Sequence, residues 1–476
     1  MALGGCSFLL DFDELQKGKA GAGGQASGGS ANSGGKAGGG VGGAEGGAGG
    51  ACECTDADSD PCTVARCIDN VCTQVPIQGL VLERDFDPIV AERHYQLSMV
   101  AGPSDFYLSS LSTTAGVPDA TIYRLTATST TVAPAAQLNS LKLAGQPLSA
   151  PALALDTTSG IKIHSYVALK DASGVNARVW HVVFDSDFKV TLRVPVSTTY
   201  AIAPSLAAQS LHPAALTIGT DTWGAWVNAD GSVSAMSTGL NPETLQFGAP
   251  TTPASSVALL GTRANRPTVL YTVDGGGVYL QSEAGSVQLS ECQTGAGVYY
   301  GSYAAPTSFA GLWAIGWTKS GTSFLTSEGG LGMCANNGSC LSDSTCDTSE
   351  ANNYTRNPGV ASQHIQGDAV GVVYYLEVLP TLIPTTTASF QASASAWLFR
   401  IDFGSNPNLS GVQAPTAVGD PVLLTTQATS AAAGYRGPDH AAAAIIGDVA
   451  AVAWVEPTPD ANDQIRVQRY KMCLPR

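Results

Sequence analysis

The chain has 476 residues, of which 44% are apolar and 13% are charged, and its formal net charge at pH 7 is -15. The apolar fraction is sufficient for a globular core. The acidic balance excludes the basic surface that nucleic-acid binding requires, so we expect no nucleic-acid partner. It also excludes electrostatic docking onto an anionic membrane surface.

The chain begins MALGGCSFLL, which contains the tetrapeptide Leu3-Gly4-Gly5-Cys6. This tetrapeptide resembles the lipobox of bacterial lipoproteins, in which the cysteine is lipidated after cleavage before it. The resemblance implies lipidation at Cys6, and Ser7 implies sorting to an outer membrane. A signal peptide also needs a basic start and an apolar stretch, which we expect upstream of Met1. The alternative is a chance cysteine near an unstructured end.

This N-terminal region has two parts with different compositions. Residues 1–17 are interpreted as the truncated signal and lipid anchor, so the predicted location is the cell envelope, at the outer membrane or cell surface. The predicted partner of this segment is the lipid bilayer. Residues 18–50 are dominated by Gly, Ala and Ser. Because such a composition buries too little apolar surface to fold, this segment is predicted to be a flexible, disordered linker.

A small cysteine-rich unit is predicted at residues 51–76. In an exported chain with almost no local core, closely spaced cysteines indicate a disulfide module. A zinc site is the alternative, although zinc prefers paired knuckles and a reducing compartment. The cysteines of this unit are Cys52, Cys54, Cys62, Cys67 and Cys72.

Alternating acids at Asp56, Asp58 and Asp60 lie inside this module. They resemble the start of calcium-binding loops, and the resemblance implies that these three carboxylates could bind calcium. The EF-hand pattern would place Gly at its sixth position and Glu at its twelfth, where this chain has Pro61 and Cys67. A solvated acidic turn is the alternative. No other cofactor is predicted.

Residues 80–476 have the composition of an all-β domain, rich in Val, Thr, Tyr, Ser and Ala. Recurrent hairpins predict a repeat architecture. Several central strands, such as Val449–Val455, are apolar on both faces, which favours a β-propeller, most consistent with seven blades. A two-sheet sandwich is the second interpretation, although its strands would alternate more strictly. The seven predicted hairpins combine 106–111 with 121–125, 163–169 with 177–184, 222–227 with 232–236, 268–273 with 277–280, 312–317 with 323–325, 370–378 with 396–403, and 449–455 with 464–470.

The sequence contains no motif that indicates a catalytic site. None of the six histidines has a partner at a metal-ligand spacing, and a Gly-x-Ser-x-Gly nucleophile elbow is missing. The segment 272–279 resembles the Asp-box of sialidase-like propellers, which is a turn device. Arginines could gather in a propeller channel, as in sialidases. These are Arg124, Arg178, Arg263, Arg266 and Arg400. We therefore predict no catalytic residues.

The function predicted from these features is a tethered, surface-exposed binding or interaction protein without catalytic activity. Its predicted partner is an unidentified surface protein or glycan, contacted by loops between blades. The longest such loop is predicted at residues 329–359, because loops of this length are usually functional or disordered. Two alternatives remain: a tethered propeller enzyme acting on a polysaccharide or peptide, and a structural envelope protein.

Cysteine parity predicts a covalent link between the module and the propeller. Apart from Cys6, the module and the propeller contain five cysteines each, so neither set can pair completely within itself. Closing a propeller ring brings its first and last strands together, and Cys473 lies near the C-terminus. We therefore expect Cys473 to bond a module cysteine, Cys292 to bond one of Cys334, Cys340 and Cys346, and the remaining two to pair.

Overall fold

A computed structural model gives the structure of the chain. It describes residues 54, 58, 60–138, 145–171, 174–201, 213–218, 220–238, 243–247, 254–260, 267–273, 277–282, 285–290, 298–303, 312–320, 328–335, 340–341, 359–362, 368–378, 391–402, 416–417, 419, 422–430, 439–458, 460 and 462–473. All regular secondary structure among these residues is β-strand. No helix in this part of the chain is long and apolar enough to cross a membrane.

The first described element is a two-stranded hairpin, β1 (Thr63–Ile68) and β2 (Val71–Pro76). Asp69 and Asn70 form its turn, and both have positive φ angles, of 52° and 62°. Two consecutive positive φ angles are typical of the tight turns whose twist matches that of a hairpin. This hairpin belongs to the cysteine-rich segment and lies outside the larger sheets.

Seven larger sheets follow within the described residues. Sheet 1 contains β5 (Arg93–Ala101), β6 (Phe106–Thr114), β7 (Val117–Leu125) and β8 (Ala133–Gln137). Sheet 2 contains β9 (Gln146–Pro147), β10 (Ala152–Asp156), β11 (Lys162–Lys170), β12 (Asn176–Phe184), β13 (Val190–Pro195) and β14 (Tyr200–Ala201). Sheet 3 contains β15 (Ala214–Ile218), β16 (Asp221–Val227), β17 (Val233–Ser237) and β18 (Thr244–Phe247).

The later sheets repeat this antiparallel order. Sheet 4 contains β19 (Ala254–Leu260), β20 (Thr268–Val273), β21 (Gly277–Ser282) and β22 (Gly285–Ser290). Sheet 5 contains β23 (Val298–Tyr303), β24 (Leu312–Ser320), β25 (Glu328–Ala335) and β26 (Cys340–Leu341). Sheet 6 contains β27 (Gly359–Ser362), β28 (Asp368–Val378), β29 (Gln391–Asp402), β30 (Thr416–Ala417) and β31 (Val422–Ser430).

Sheet 7 is built from both ends of this domain. Its C-terminal strands are β32 (Asp439–Ile446), β33 (Val449–Pro457) and β34 (Asp463–Cys473). Its outer edge comes from the N-terminal side, where β3 (Gly79–Asp85) and β4 (Ile89–Ala91) both pair with β34. The sheet order β3-β34-β33-β32 therefore joins the beginning of the domain to its end by strand pairing.

The first strands of the sheets contact one another in sequence: β5 contacts β10, and the contacts continue through β15, β19, β23 and β27 to β32, which contacts β5. This is an all-β, propeller-like arrangement. Antiparallel pairing places the start of each first strand and the turn between the second and third strands at one end, here called the upper end. The opposite end is the lower end.

Apolar residues on both faces of the central strands explain why the sheets stack. On β33, Ala450, Val452 and Trp454 belong to the core shared with sheet 6, whereas Ala451, Ala453 and Val455 belong to the core shared with sheet 1. Alternate residues of a strand project to opposite faces. A strand that is buried on both faces therefore needs a continuous apolar run, which is the pattern that favoured a propeller over a sandwich.

Six of the seven predicted hairpins supply the second and third strands of their sheets, and the fifth supplies the second strand of sheet 5. One prediction about loops is wrong. The segment 329–359 is not a loop throughout, because β25 continues to Ala335 and pairs with β26. For the fifth hairpin, the predicted return strand at 323–325 lies outside the described residues, and the described return strand is β25.

Candidate functional site

Carboxylates and a histidine cluster at the upper end, where sheet 7 meets sheet 1. We call this the upper-end cluster, and it consists of Glu92, His94, Glu456 and Asp463. Strand pairing brings Ala91 of β4 opposite Asp463 of β34. Asp463 Oδ2 accepts a hydrogen bond of 3.2 Å from the backbone N–H of His94 at the start of β5. The closure of sheet 7 thus assembles the cluster.

The His94 imidazole is neutral and holds one free lone pair. It is buried, and its Nε2 lies 3.0 Å from the carbonyl oxygen of Ile89. A carbonyl can only accept, so Nε2 carries the hydrogen and Nδ1 is unprotonated. Nδ1 has no hydrogen-bond partner among the described residues. Burial lowers the pKa of His94 to about 4, and the bond to Ile89 opposes this shift.

The three carboxylates of the cluster have different surroundings. Glu92 is exposed, and its Oε2 accepts a bond of 3.0 Å from the backbone N–H of Gly116. Glu456 and Asp463 are each only 7% exposed. Glu456 accepts bonds from two neutral donors, the Trp454 indole at 3.0 Å and the Gln464 amide at 2.7 Å. Gln464 pairs with Glu456 across the ladder, so Asp463 projects from the opposite face of sheet 7.

A second polar cluster lies at the lower end, between sheets 2 and 3. His164 of β11 and His181 of β12 contact each other, with Nδ1 of His164 3.0 Å from Nε2 of His181. Thr222 and Thr238, on sheet 3, place their hydroxyl groups 3.1 Å and 3.3 Å from the same Nδ1. Sequence reasoning found neither cluster, because each depends on how neighbouring sheets pack.

The predicted bond between Cys473 and the module is confirmed, and its partner is Cys62. Cys54 bonds Cys72 within the hairpin segment, and Cys67 is also disulfide-bonded. Gly79 lies opposite Cys473, so the hairpin is attached at the lower end of sheet 7.

The other predicted disulfide cysteines are placed less completely. Cys334 lies opposite Cys340 on the β25–β26 ladder. Three predicted positions lie outside the described residues: Cys52, Cys292 and Cys346. The predicted lipidation site, Cys6, also lies outside them.

The candidate calcium ligands form local turn contacts. Asp58 Oδ1 accepts from the backbone N–H of Asp60 at 3.0 Å and from the Thr63 hydroxyl at 2.9 Å. Asp60 Oδ1 accepts from the backbone N–H of Cys62 at 2.9 Å. These contacts match the alternative of an acidic turn, while Asp56 lies outside the described residues. Within the described part of the chain, no group of three His, Cys, Asp or Glu side chains could hold a metal ion.

The arginines considered for a channel have separate roles where the structure describes them. Arg124 forms an ion pair of 2.6 Å with Asp105 at the lower end of sheet 1. Arg178 donates to the Thr199 hydroxyl within sheet 2. The remaining three have side chains outside the described part. The Asp-box-like turn at 274–276, which joins β20 to β21, also lies outside it.

No family model and no curated protein matches the sequence. Solved structures similar to it include an α-L-arabinofuranosidase, Arb93A, from Fusarium graminearum, with 8% identity, a TM-score of 0.41, and coverage of 82% of this chain and 98% of that one.

Two further solved structures are also similar to this chain. An α-L-arabinanase from Penicillium chrysogenum has 10% identity, a TM-score of 0.40, and coverage of 83% and 99%. A sialidase from Trypanosoma rangeli has 11% identity, a TM-score of 0.37, and coverage of 85% of this chain and 57% of that one.

This comparison corrects the functional prediction. All three of these proteins are named as enzymes. The prediction of a binding or interaction protein without catalytic activity is wrong against this finding, and so is the prediction that the chain is not an enzyme.

Proposed function

We propose that the chain is a surface-tethered propeller enzyme that cleaves a polysaccharide, with its chemistry at the upper-end cluster. The observation that carries the proposal is that three carboxylates with unlike surroundings lie at the upper end of sheets 7 and 1. Glu92 is exposed, whereas Glu456 and Asp463 are buried.

The chemistry of glycoside cleavage is the reason for proposing this reaction at the upper-end cluster. Cleavage generally uses two carboxyl groups, one as proton donor to the leaving oxygen and one as base or nucleophile. Different surroundings separate the roles of otherwise similar carboxyl groups. In this proposal Glu92 meets the substrate, because it is exposed and held by the Gly116 backbone N–H. Asp463 positions the start of β5 through the His94 backbone.

The proposed tether gives the upper end a consistent orientation. The cysteine-rich hairpin is attached at the lower end through Cys62 and Cys473. A lipid at Cys6 and the linker at 18–50 would therefore hold the domain from below, at the outer membrane or cell surface. The upper-end cluster would then face away from the bilayer, toward external glycans. Mass spectrometry of the N-terminal peptide tests the lipid, and a peptide with an unmodified Cys6 would contradict it.

The proposed architecture is a closed ring of seven blades, one for each sheet. The support comes from the series of contacts between first strands, which returns from β32 to β5. Electron cryomicroscopy down the ring axis tests this proposal. We expect seven radial densities around a channel, and six or eight would contradict it.

The test of activity uses the full chain and a panel of polysaccharides that includes arabinan and sialylated glycans. Release of reducing sugars is measured for the native chain, for Glu92→Gln and for Asp187→Asn. Glutamine retains a side-chain oxygen that can accept from the Gly116 N–H, so we expect a folded variant. Its kcat should be at least about 100-fold below the native value. Asp187 is an exposed acid at the lower end, and its variant should keep full activity.

Two outcomes would overturn the proposed function. One is that the native chain releases no sugar from any polysaccharide of the panel. The other is that Glu92→Gln retains the native rate.

A further inference from the structure

We propose that His164 and His181 form an acid-sensitive latch between sheets 2 and 3, closed at neutral pH and released when the pair takes up protons. This inference is independent of the proposed function, because both histidines lie at the lower end. The latch would tie the rigidity of the contact between sheets 2 and 3 to the surrounding pH.

The geometry shows that the pair joins two sheets. Nδ1 of His164 lies 3.0 Å from Nε2 of His181 within sheet 2. The Thr222 hydroxyl of sheet 3 approaches the same nitrogen at 3.1 Å. The Thr238 hydroxyl, also on sheet 3, lies 3.3 Å away and contacts the Thr222 hydroxyl. One imidazole nitrogen is therefore the centre of the polar contact between the sheets.

Aromatic stacking packs the pair closely against its neighbours. The Tyr166 ring is fully buried and stacks on His181, with centroids 4.6 Å apart and planes inclined by 8°. On its other side, Tyr166 packs against Gly224 of β16, where a Cβ would lie 2.2 Å from the ring. Because the stack fills the seam, a change at the histidines is transmitted to the contact between β11 and β16.

Protonation is incompatible with this arrangement. In the neutral pair, one nitrogen donates a hydrogen and the other accepts it. Nε2 of His164 is buried and has no partner among the described residues. A second hydrogen on His164 would therefore place an N–H without an acceptor in the seam, which is costly. If both rings were protonated, two cations would face each other at hydrogen-bond distance.

The charged groups on the surrounding strands offset the effect of burial on the histidine pair only in part. Asp156 of β10 and Lys162 of β11 form an ion pair of 3.5 Å and have opposite effects on His164. On β12, Arg178 donates to Thr199, and on β13, Arg193 lies over the Trp180 ring. The described strands β15 and β17 carry no charged residue, whereas β16 begins with Asp221.

The direction of the pKa shifts agrees with the geometry. Burial lowers the pKa of His164 to about 4. Burial, and then the neighbouring His164, lower the pKa of His181 to about 3. Since an unfolded histidine titrates near 6.5, the open state binds protons first. The latch is therefore stable above about pH 6.5 and is progressively weakened as the pH falls toward 4.

Hydrogen exchange read by mass spectrometry tests the latch in the full chain. Protection of β11 and β16 is compared with that of β20 in sheet 4, whose described strands contain no histidine. After correction for intrinsic exchange, we expect protection of β11 and β16 to fall at least tenfold more than that of β20 between pH 7 and pH 5. The double variant His164→Asn, His181→Gln places amides near the two bonded nitrogens and should abolish the difference.

Either of two results would overturn the latch. The native chain could lose protection equally in β11, β16 and β20, and this result decides the matter even if the double variant does not fold. Alternatively, the folded double variant could retain the native pH response of β11 and β16.

Discussion

Two seams between neighbouring sheets are held together in different ways. The seam between sheets 7 and 1 lies beside the place where the two ends of the domain meet, and it has an apolar core that includes Phe86, Leu97 and Val467. Within sheet 7, the pairing of β3 with β34 and the disulfide between Cys62 and Cys473 join those ends. The seam between sheets 2 and 3 joins consecutive segments of chain and contains a buried histidine pair.

The two regions differ in how far they can open when their contacts weaken. The pairing of β3 with β34 joins the two ends of the domain, so the covalent link between them there is the Cys62–Cys473 disulfide. Loss of this disulfide would let β3 and the hairpin detach. A seam between consecutive sheets is limited in its opening by the short connecting chain. It can therefore include groups whose protonation weakens packing without separating the ends of the domain.

The largest effect is expected when the link between the two ends of the domain at sheet 7 is removed. In the variant Cys62→Ser, Cys473→Ser, a link with a sequence separation of 411 is lost. Because this link restricts a long loop in the unfolded chain, we expect unfolding to become easier by about 5 kcal/mol as an upper value. Urea unfolding followed by tryptophan fluorescence measures the change, since Trp454 is buried in sheet 7.

The matched control removes the shorter disulfide by Cys54→Ser, Cys72→Ser, with a separation of 18. This bond lies within the hairpin segment, so the fluorescence transition of the ring should change little. Equal destabilisation of the ring by the two double variants would argue against a special role for the terminal link.

An intermediate effect is expected when the seam between sheets 2 and 3 is overpacked. A Cβ at Gly224 would lie 2.2–2.5 Å from three atoms of the Tyr166 ring. Gly224→Ala should therefore reduce the free energy of unfolding by about 2–3 kcal/mol. At Gly116, with φ +74° and nothing within 4 Å, alanine should cost about 1 kcal/mol, from backbone strain alone. Thermal unfolding of both variants makes the comparison, and a smaller loss at Gly224 would contradict it.

The smallest effect concerns the pH dependence of stability at the seam between sheets 7 and 1, where His94 lies. The pKa of His94 is lowered to about 4, so the unfolded state takes up its proton first as the pH falls below 6.5. Proton uptake by His94 in the unfolded state should therefore lower the free energy of unfolding by about 2 kcal/mol as the pH falls from 7 to 5. In His94→Gln, whose amide can still donate to Ile89, urea unfolding should depend less on pH by that amount. An unchanged pH dependence would contradict the assignment.

Sequence patterns were sufficient for the parts of the fold that depend on local order. The apolar run on β33 indicated a strand buried on both faces, and cysteine parity indicated a bond from Cys473 to the hairpin segment. The upper-end cluster could not be predicted in this way. Asp463 and His94 are 369 residues apart, and they meet only because β4 pairs with β34.

The lower-end pair escaped prediction for a related reason. His164 lies opposite Val183, and His181 lies opposite Tyr166, so the imidazoles meet on a diagonal of the ladder. Their contacts with Thr222 and Thr238 further depend on how sheet 3 packs on sheet 2. Residue spacing contains neither the register of a ladder nor the stacking of two sheets.

The two ends of the domain are covalently joined at sheet 7 by the bond between Cys62 and Cys473. Peptide mapping of the natural protein without reduction tests this most directly. After proteolysis with free thiols blocked, we expect the Cys62 peptide linked to the Cys473 peptide, and their separation after reduction. Recovery of Cys473 as a free thiol, or bonded to Cys292, would contradict the account.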